Sequence, residues 1–234
     1  MTETYIGNEL EIFAHALRWK TYFSSILTPY GKKVLEVGAG IGATTAILCD
    51  GSQEEWLCLE PDLELLTQVE KQIRSGVLPA CCHACAGTVR DLEPDALFDS
   101  ILYIDVLEHI EDDRAELEQA ARHLATGGRL MVLSPAYPFL YSPFDKAIGH
   151  YRRYTRASFA ALTPQGCKQD KLLYLDSVGL FTSLANRLFL RQSLPTHGQI
   201  LFWDRKLVPL SKFFDRIAGF NIGRSIVAIW ELAK

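Results

Sequence analysis

An α/β fold with a mostly parallel sheet and helices on both faces is what this sequence predicts, on three observations. Short apolar runs of strand type recur through the first 135 residues, most of them separated by stretches with helical spacing. Strands alternating with helices assemble as βαβ units and lie parallel. The run Ile101-Leu102-Tyr103-Ile104 is apolar at consecutive positions, as a strand buried on both faces should be. The first strand runs into the alternate glycines Gly38, Gly40 and Gly42, which form a turn that opens a helix.

Residues 8–27 carry Leu10, Phe13, Ala14, Leu17, Phe23, Ile26 and Leu27 at helical spacing, and Pro29-Tyr30-Gly31 ends that helix. A strand at 33–37 follows, then a helix near 43–49, a strand at 56–60 and a helix at 62–73. Gly76 and Pro79 lead into a strand near 80–86, and the next strand is 99–105. An acidic helix near 112–124 comes next, with Gly127-Gly128 as its C-cap signal, and then a strand at 129–134. Beyond residue 135 the rhythm changes. A loop rich in proline and aromatics, Pro135 to Tyr154, leads to a short helix at 156–162 and a strand at 170–176. The final strand is 225–232, which brings the strands to seven. The stretch of about 180–220 is too long for a hairpin connection and reads as a helical cap inserted before that last strand.

With 234 residues, 48% of them hydrophobic, the chain is expected to form a single domain over 1–234, with a ligand-binding core at 30–135. There is no basic-then-apolar leader, and no apolar run approaches the roughly 20 residues of a membrane span. A soluble, cytoplasmic protein is the expectation. Several of the six cysteines fall in apolar, strand-like surroundings, and no disulfide framework is expected in a domain of this size. Within Cys81-Cys82-His83-Ala84-Cys85, Cys82 and Cys85 have the spacing of half a zinc site, but no other CxxC or HxxxH occurs, so no metal ligands are assigned. Net charge is −4, divided unevenly: residues 1–130 carry −12 and residues 131–234 carry +8. The basic half suits an anionic substrate or simply complements the acidic half. A pI of 5.9 without a basic stripe argues against nucleic acid as a partner. The cap's mixture of Phe181, Leu184, Leu188, Phe189, Leu190, Phe202, Trp203, Phe213 and Phe214 with basic residues suits packing on the body, and is compatible with membrane-surface contact.

The glycine turn fits two cofactors. Gly38-Ala39-Gly40-Ile41-Gly42-Ala43 satisfies a dinucleotide fingerprint, and Glu60 lies about twenty residues on, where a ribose-binding carboxylate belongs. Glu36 separates the two readings. A carboxylate at the strand end opposes a pyrophosphate but favours the sulfonium and ammonium of S-adenosylmethionine.

The run Val34-Leu35-Glu36-Val37-Gly38-Ala39-Gly40-Ile41-Gly42 resembles motif I of the class I S-adenosylmethionine-dependent methyltransferases. Leu59-Glu60-Pro61-Asp62 is similar to their ribose-binding step, Phe98 to Ile110 to their "FD…VLEHI" strand, and Gly127 to Pro135 to their "GG.l…P" strand. The likeness covers residues 30–135, with its motifs in order. It implies a Rossmann-like sheet of seven strands, mostly parallel, with the last strand antiparallel. It also implies cofactor contacts at Glu36, Gly38, Ala39, Gly40, Gly42 and Thr44 on the first turn, and at Glu60 and Pro61 on the second. Thr88 and Val89 should face the adenine, and Asp105 and Val106 the methionine end.

The acceptor side is expected in the loop after the fifth strand. Asp145 through Tyr154 resembles a "D…GH.RRY" stretch found in a bacterial subset of these enzymes. His150, with an ordinary pKa of about 6.5, suits a general base, and His109 is a second candidate for catalysis. Arg152 and Arg153 suit a phosphate or carboxylate, and Tyr137, Tyr151 and Tyr154 join them as acceptor-binding residues. A salt-bridge network fixing the loop is the competing role for the same residues. Methyl transfer to a small-molecule, sugar or lipid- or carrier-linked acceptor is the expected activity. An NAD-dependent oxidoreductase and a non-catalytic cofactor-binding partner protein are the alternatives.

Overall fold

The computed structural model describes residues 9–185 and 196–233. Seven strands form one sheet: β1 (Lys33–Val37), β2 (Glu55–Glu60), β3 (Cys82–Ala86), β4 (Phe98–Ile104), β5 (Leu124–Pro135), β6 (Cys167–Leu175) and β7 (Ser225–Leu232). Their spatial order is β3-β2-β1-β4-β5-β7-β6. The first five pair in parallel, and β7 lies antiparallel between β5 and β6. The chain winds outward from β1 through β2 to β3, then returns to place β4 on the other side of β1. That reversal opens a crevice at the carboxyl ends of β1 and β4, where open α/β sheets hold ligands.

Successive strand residues face opposite sides, so each strand feeds two cores. Val34, Trp56, Leu102 and Met131 pack on one face with Trp19, Phe23 and Leu27, whereas Leu35, Ile101, Tyr103 and Val132 pack on the other with Leu117 and Phe159. Both faces are covered, which is why the strands read as continuous apolar runs.

The remaining helices are α1 (Glu9–Ala14), α2 (Leu17–Ser24), α3 (Thr45–Leu48), α4 (Leu63–Arg74), α5 (Asp113–Arg122), α6 (Pro143–Ala147), α7 (Arg156–Ala161), α8 (Ser177–Ala185), α9 (His197–Phe202) and α10 (Val208–Ile217). Three sequence-based expectations change. The helix expected over 8–27 breaks at His15–Ala16, because the Arg18 and Trp19 amides opening α2 donate to the Asp204 carboxylate, at 3.3 and 2.8 Å. Gly127-Gly128 does not cap the acidic helix, which stops at Arg122, and both glycines lie within β5. A Cβ on Gly128 would stand 2.7 Å from the Ala125 carbonyl oxygen, so close backbone contact explains that glycine. The proline-rich loop contains α6, opened by a reciprocal cap between Ser142 and Asp145.

The cap comprises α8, α9, α10 and a π-helical turn, Trp203–Leu207, between the last two. Leu188, Phe189 and Leu190 of the expected cap lie outside the described residues. Two buried aspartates pin the cap to the body. Asp176 accepts from the Gly179 amide, the Trp203 indole and the Ser211 hydroxyl, and it pairs with Arg224. Asp215 accepts from the Tyr22 hydroxyl and the Asp176 and Ser177 amides. Among the described residues, no helix is long and apolar enough to cross a membrane.

Candidate active site

Gly38, Gly40 and Gly42 all take left-handed backbone angles, with φ of 67, 56 and 76°. A Cβ at Gly38 would also lie 2.6 Å from Val106, so the turn and the β4 end interlock only without a side chain there. The Gly40 amide donates to Glu60 at 2.8 Å, and the Asp62 amide to its other oxygen at 3.0 Å. Glu60 thereby ties the glycine turn to the end of β2. Burial raises its pKa, and those two amides oppose the rise.

These strand ends line a cavity of about 1860 Å³ that continues across α1 and α2, the Tyr141–Arg153 loop and the cap. That exceeds the roughly 300–1,000 Å³ of a site for one drug-sized ligand, so a cofactor and an acceptor fit together. Ala39, Thr44, Pro61, Thr88 and Val106 line it with Gly38, Gly40, Glu60 and Asp105. The Thr88 hydroxyl is already committed to Asp91, at 2.8 Å.

Three expected cofactor residues fall behind the lining. Gly42 faces Val69, Gln72 and Leu78, and Val89 is wholly buried in the second core. The Glu36 carboxylate is buried and accepts from the Thr45 hydroxyl at 2.7 Å and the Trp56 indole at 2.9 Å. It braces the turn from beneath instead of lining the cavity. Burial pushes the Glu36 pKa up to about 7 from 4.5, although Thr45, Trp56 and Lys20 draw it down. The folded state therefore holds the proton more tightly, and this group's stabilising share is lost as pH rises from about 4.5 through 7. The Glu36→Gln protein is expected to gain on wild type by up to about 3 kcal/mol between pH 5 and 8. Urea denaturation at both pH values reads this, and a pH-independent difference would remove the assignment.

Asp105 follows the last residue of β4 with φ of 54°, unusual for a residue with a side chain, and it lines the cavity. Surrounding protein raises its pKa, against the pull of Lys20, His150 and Arg224. Lys20 was missed by sequence reasoning, yet a signal exists: it interrupts the apolar stripe of Phe13, Ala16, Phe23 and Leu27 at helical spacing. Burial lowers its pKa, opposed by Asp105, Glu36 and Asp204. Arg224, also missed, sits over the Trp203 ring at 4.3 Å.

In the loop, Asp145 is fully buried and collects four groups. His150 Nδ1 lies at 3.0 Å, Arg153 is bidentate at 2.9 and 3.0 Å, and the Ser142 amide and hydroxyl stand at 2.8 and 2.7 Å. Burial works against its charge, but these donors outweigh it and hold the carboxyl well below the usual range. His150, Tyr151 and Arg153 line the cavity. Tyr137, Arg152 and Tyr154 do not. Arg152 pairs with Asp113 at 2.6 Å, the Tyr154 hydroxyl donates to the same carboxylate at 2.9 Å, and Tyr137 stacks on Tyr174. Neighbours along an extended segment point to opposite sides, so Arg152 anchors the loop to α5 while Arg153 stays at the cavity.

His109 and His150 meet edge-on, with ring centroids 4.5 Å apart. Burial, then His150, pushes the His109 pKa down to about 4. Glu108, which sequence reasoning did not single out, is wholly buried beside them. The cysteines regroup as well: Cys49 lies 3.6 Å from both Cys81 and Cys82, while Cys85 takes no part.

The family model described as a methyltransferase domain matches residues 11–169. Ajmaline N-methyltransferase of Rauvolfia serpentina is 24% identical over 198 residues, which cover 80% of this chain and 60% of that protein. Ubiquinone biosynthesis O-methyltransferase of Xanthomonas axonopodis pv. citri (strain 306) is 31% identical over 114 residues, 47% of this chain and 46% of that one. The chain thus spans between about half and three fifths of the length of these curated relatives. In solved structures, an S-adenosylmethionine-dependent methyltransferase from Clostridium acetobutylicum ATCC 824 shares the fold, with a TM-score of 0.60 at 13% identity, over 97% of this chain and 96% of that one.

Proposed function

Because this chain belongs to the methyltransferase domain family, we propose that it transfers a methyl group from S-adenosylmethionine to a small-molecule or carrier-linked acceptor. The observation that carries this reading is the single cavity that joins the glycine turn and Glu60 at one end to His150, Tyr151 and Arg153 at the other. When bound, the cofactor supplies a methyl carbon on sulfur, which an acceptor lone pair takes in line as the carbon–sulfur bond breaks.

The chain's residues bind and orient. Glu60 accepts the ribose hydroxyls, since a carboxylate offers two oxygens to a diol. The left-handed turn at Gly38 and Gly40 brings backbone within reach of the ligand. Asp105 supplies negative charge at the end of β4, where a cationic centre is favoured in a walled cavity. Lys20 and Arg224 line the same cavity and act on Asp105 with positive charge, which favours an acceptor carrying an anionic group. Phe13 and Trp203 close the apolar side and exclude water. Holding acceptor and methyl carbon in line is the main contribution asked of such a site.

Calorimetry of the whole chain with S-adenosylhomocysteine and, separately, NAD tests the cofactor. Micromolar binding of the former and none of the latter is the expected outcome, and a response to NAD alone would overturn the reading. Methyl-labelled cofactor with a metabolite extract then identifies the acceptor by product mass.

A further inference from the structure

We propose that Glu108, His109 and His150 form a site for one divalent transition-metal ion, best suited to zinc, in the wall of the acceptor half of the cavity. One ligand atom from each lies within 4.8 Å of the other two, and all three residues line the cavity. The inference rests on the methyl-transfer reading only for what the ion serves, not for whether it binds.

The outer contacts are those of histidine ligands. His150 Nδ1 bonds Asp145 at 3.0 Å, and Arg153 and Ser142 donate to the same carboxyl and hold it in place. The other ring nitrogen, Nε2, lies 3.8 Å from Glu108 Oε1. A hydrogen bond to the Ile148 carbonyl anchors His109. Imidazoles that bind metals are oriented in this way, by a carboxylate or a carbonyl on the other ring nitrogen.

Glu108 supplies the independent observation. It has no solvent exposure, and no donor reaches either of its oxygens with full hydrogen-bond geometry; the Ser134 hydroxyl and its own backbone amide make only loose contact with it. Burial drives such a carboxyl toward its neutral form unless a cation compensates it, and the two imidazoles beside Glu108 complete a ligand set for one. The 3.8 Å gap to His150 is too long for a hydrogen bond. It is close to the separation of about 3.3 Å that two ligands keep around tetrahedral zinc at bond lengths near 2.0–2.1 Å.

Two imidazoles and one carboxylate with an open position match zinc, cobalt or iron(II) better than magnesium, which prefers oxygen throughout. All three residues line the cavity, so an anionic oxygen of the acceptor is the natural further ligand.

The test uses the whole chain, stripped with a chelator and titrated with zinc, with cobalt(II) as a visible-absorption probe. One ion per chain is expected, with affinity reduced at least a hundredfold in both Glu108→Gln and His109→Ala. Cys49→Ser should bind as wild type, since Cys49, Cys81 and Cys82 are the other grouping of potential ligands among the described residues. Melting temperature and S-adenosylhomocysteine affinity confirm that each variant is folded. No ion on wild type, unchanged affinity in both site variants, or loss in Cys49→Ser instead would overturn the site. S-adenosylhomocysteine binding without metal would leave methyl transfer standing and remove this inference alone. Metal binding without S-adenosylhomocysteine would do the reverse.

Discussion

Replacing Glu60 with alanine is expected to weaken S-adenosylhomocysteine binding by about a hundredfold. The carboxylate is proposed to accept two ribose hydroxyls, and hydrogen bonds to an ionised group contribute roughly 1.5–3 kcal/mol each. About 3 kcal/mol in total corresponds to that factor. Glu60 also receives the Gly40 and Asp62 amides, so its removal loosens the glycine turn and adds to the loss. Glu60→Gln retains an acceptor oxygen and should lose less. Calorimetry measures both, alongside thermal melting to show that the variants are folded. An affinity within twofold of wild type in Glu60→Ala would show that the ribose lies elsewhere.

The largest stability effect belongs to Asp176→Ala. The wild-type carboxylate is fully buried, accepts from Gly179, Trp203 and Ser211, and pairs with Arg224 at 3.1 Å. Alanine leaves the Arg224 guanidinium facing the loss of its counter-charge, and breaking a buried pair from one side costs about 3–5 kcal/mol. At roughly 2–4 °C per kcal/mol for a chain of this size, the melting temperature should fall by about 10 °C. Asp176→Asn keeps an acceptor and tolerates the φ of 65° at this position, so its fall should be smaller. Differential scanning calorimetry compares the three proteins. A drop under about 2 °C in the alanine variant would mean that the cap is held by other contacts.

The strands and the glycine turn were legible for local reasons. A strand covered on both faces must be apolar throughout, and a turn with three left-handed residues in five needs glycine at each. Helix ends were less legible. The break between α1 and α2 depends on Asp204, which lies 185 residues from Trp19. Arg152 and Arg153 are adjacent and chemically alike, yet one holds Asp113 and the other Asp145. Glu36 shows the same limit. Its oddity in an apolar strand was visible, but its partners Thr45 and Trp56 come from α3 and β2 and occupy it from behind the turn.

By itself, the sequence determined the parallel α/β class, the place of the glycine turn and the carboxylate that follows it at Glu60. Those follow from backbone sterics and apolar periodicity, which neighbouring residues decide among themselves. Only the tertiary structure decided which charged groups reach the cavity. It set Glu36 behind the turn, brought Lys20 and Arg224 within electrostatic reach of Asp105, and gathered Glu108, His109 and His150 from segments some forty residues apart. Charge and hydrogen-bond satisfaction depend on neighbours through space, and those exist only once the sheet, the loop and the cap have closed on one another.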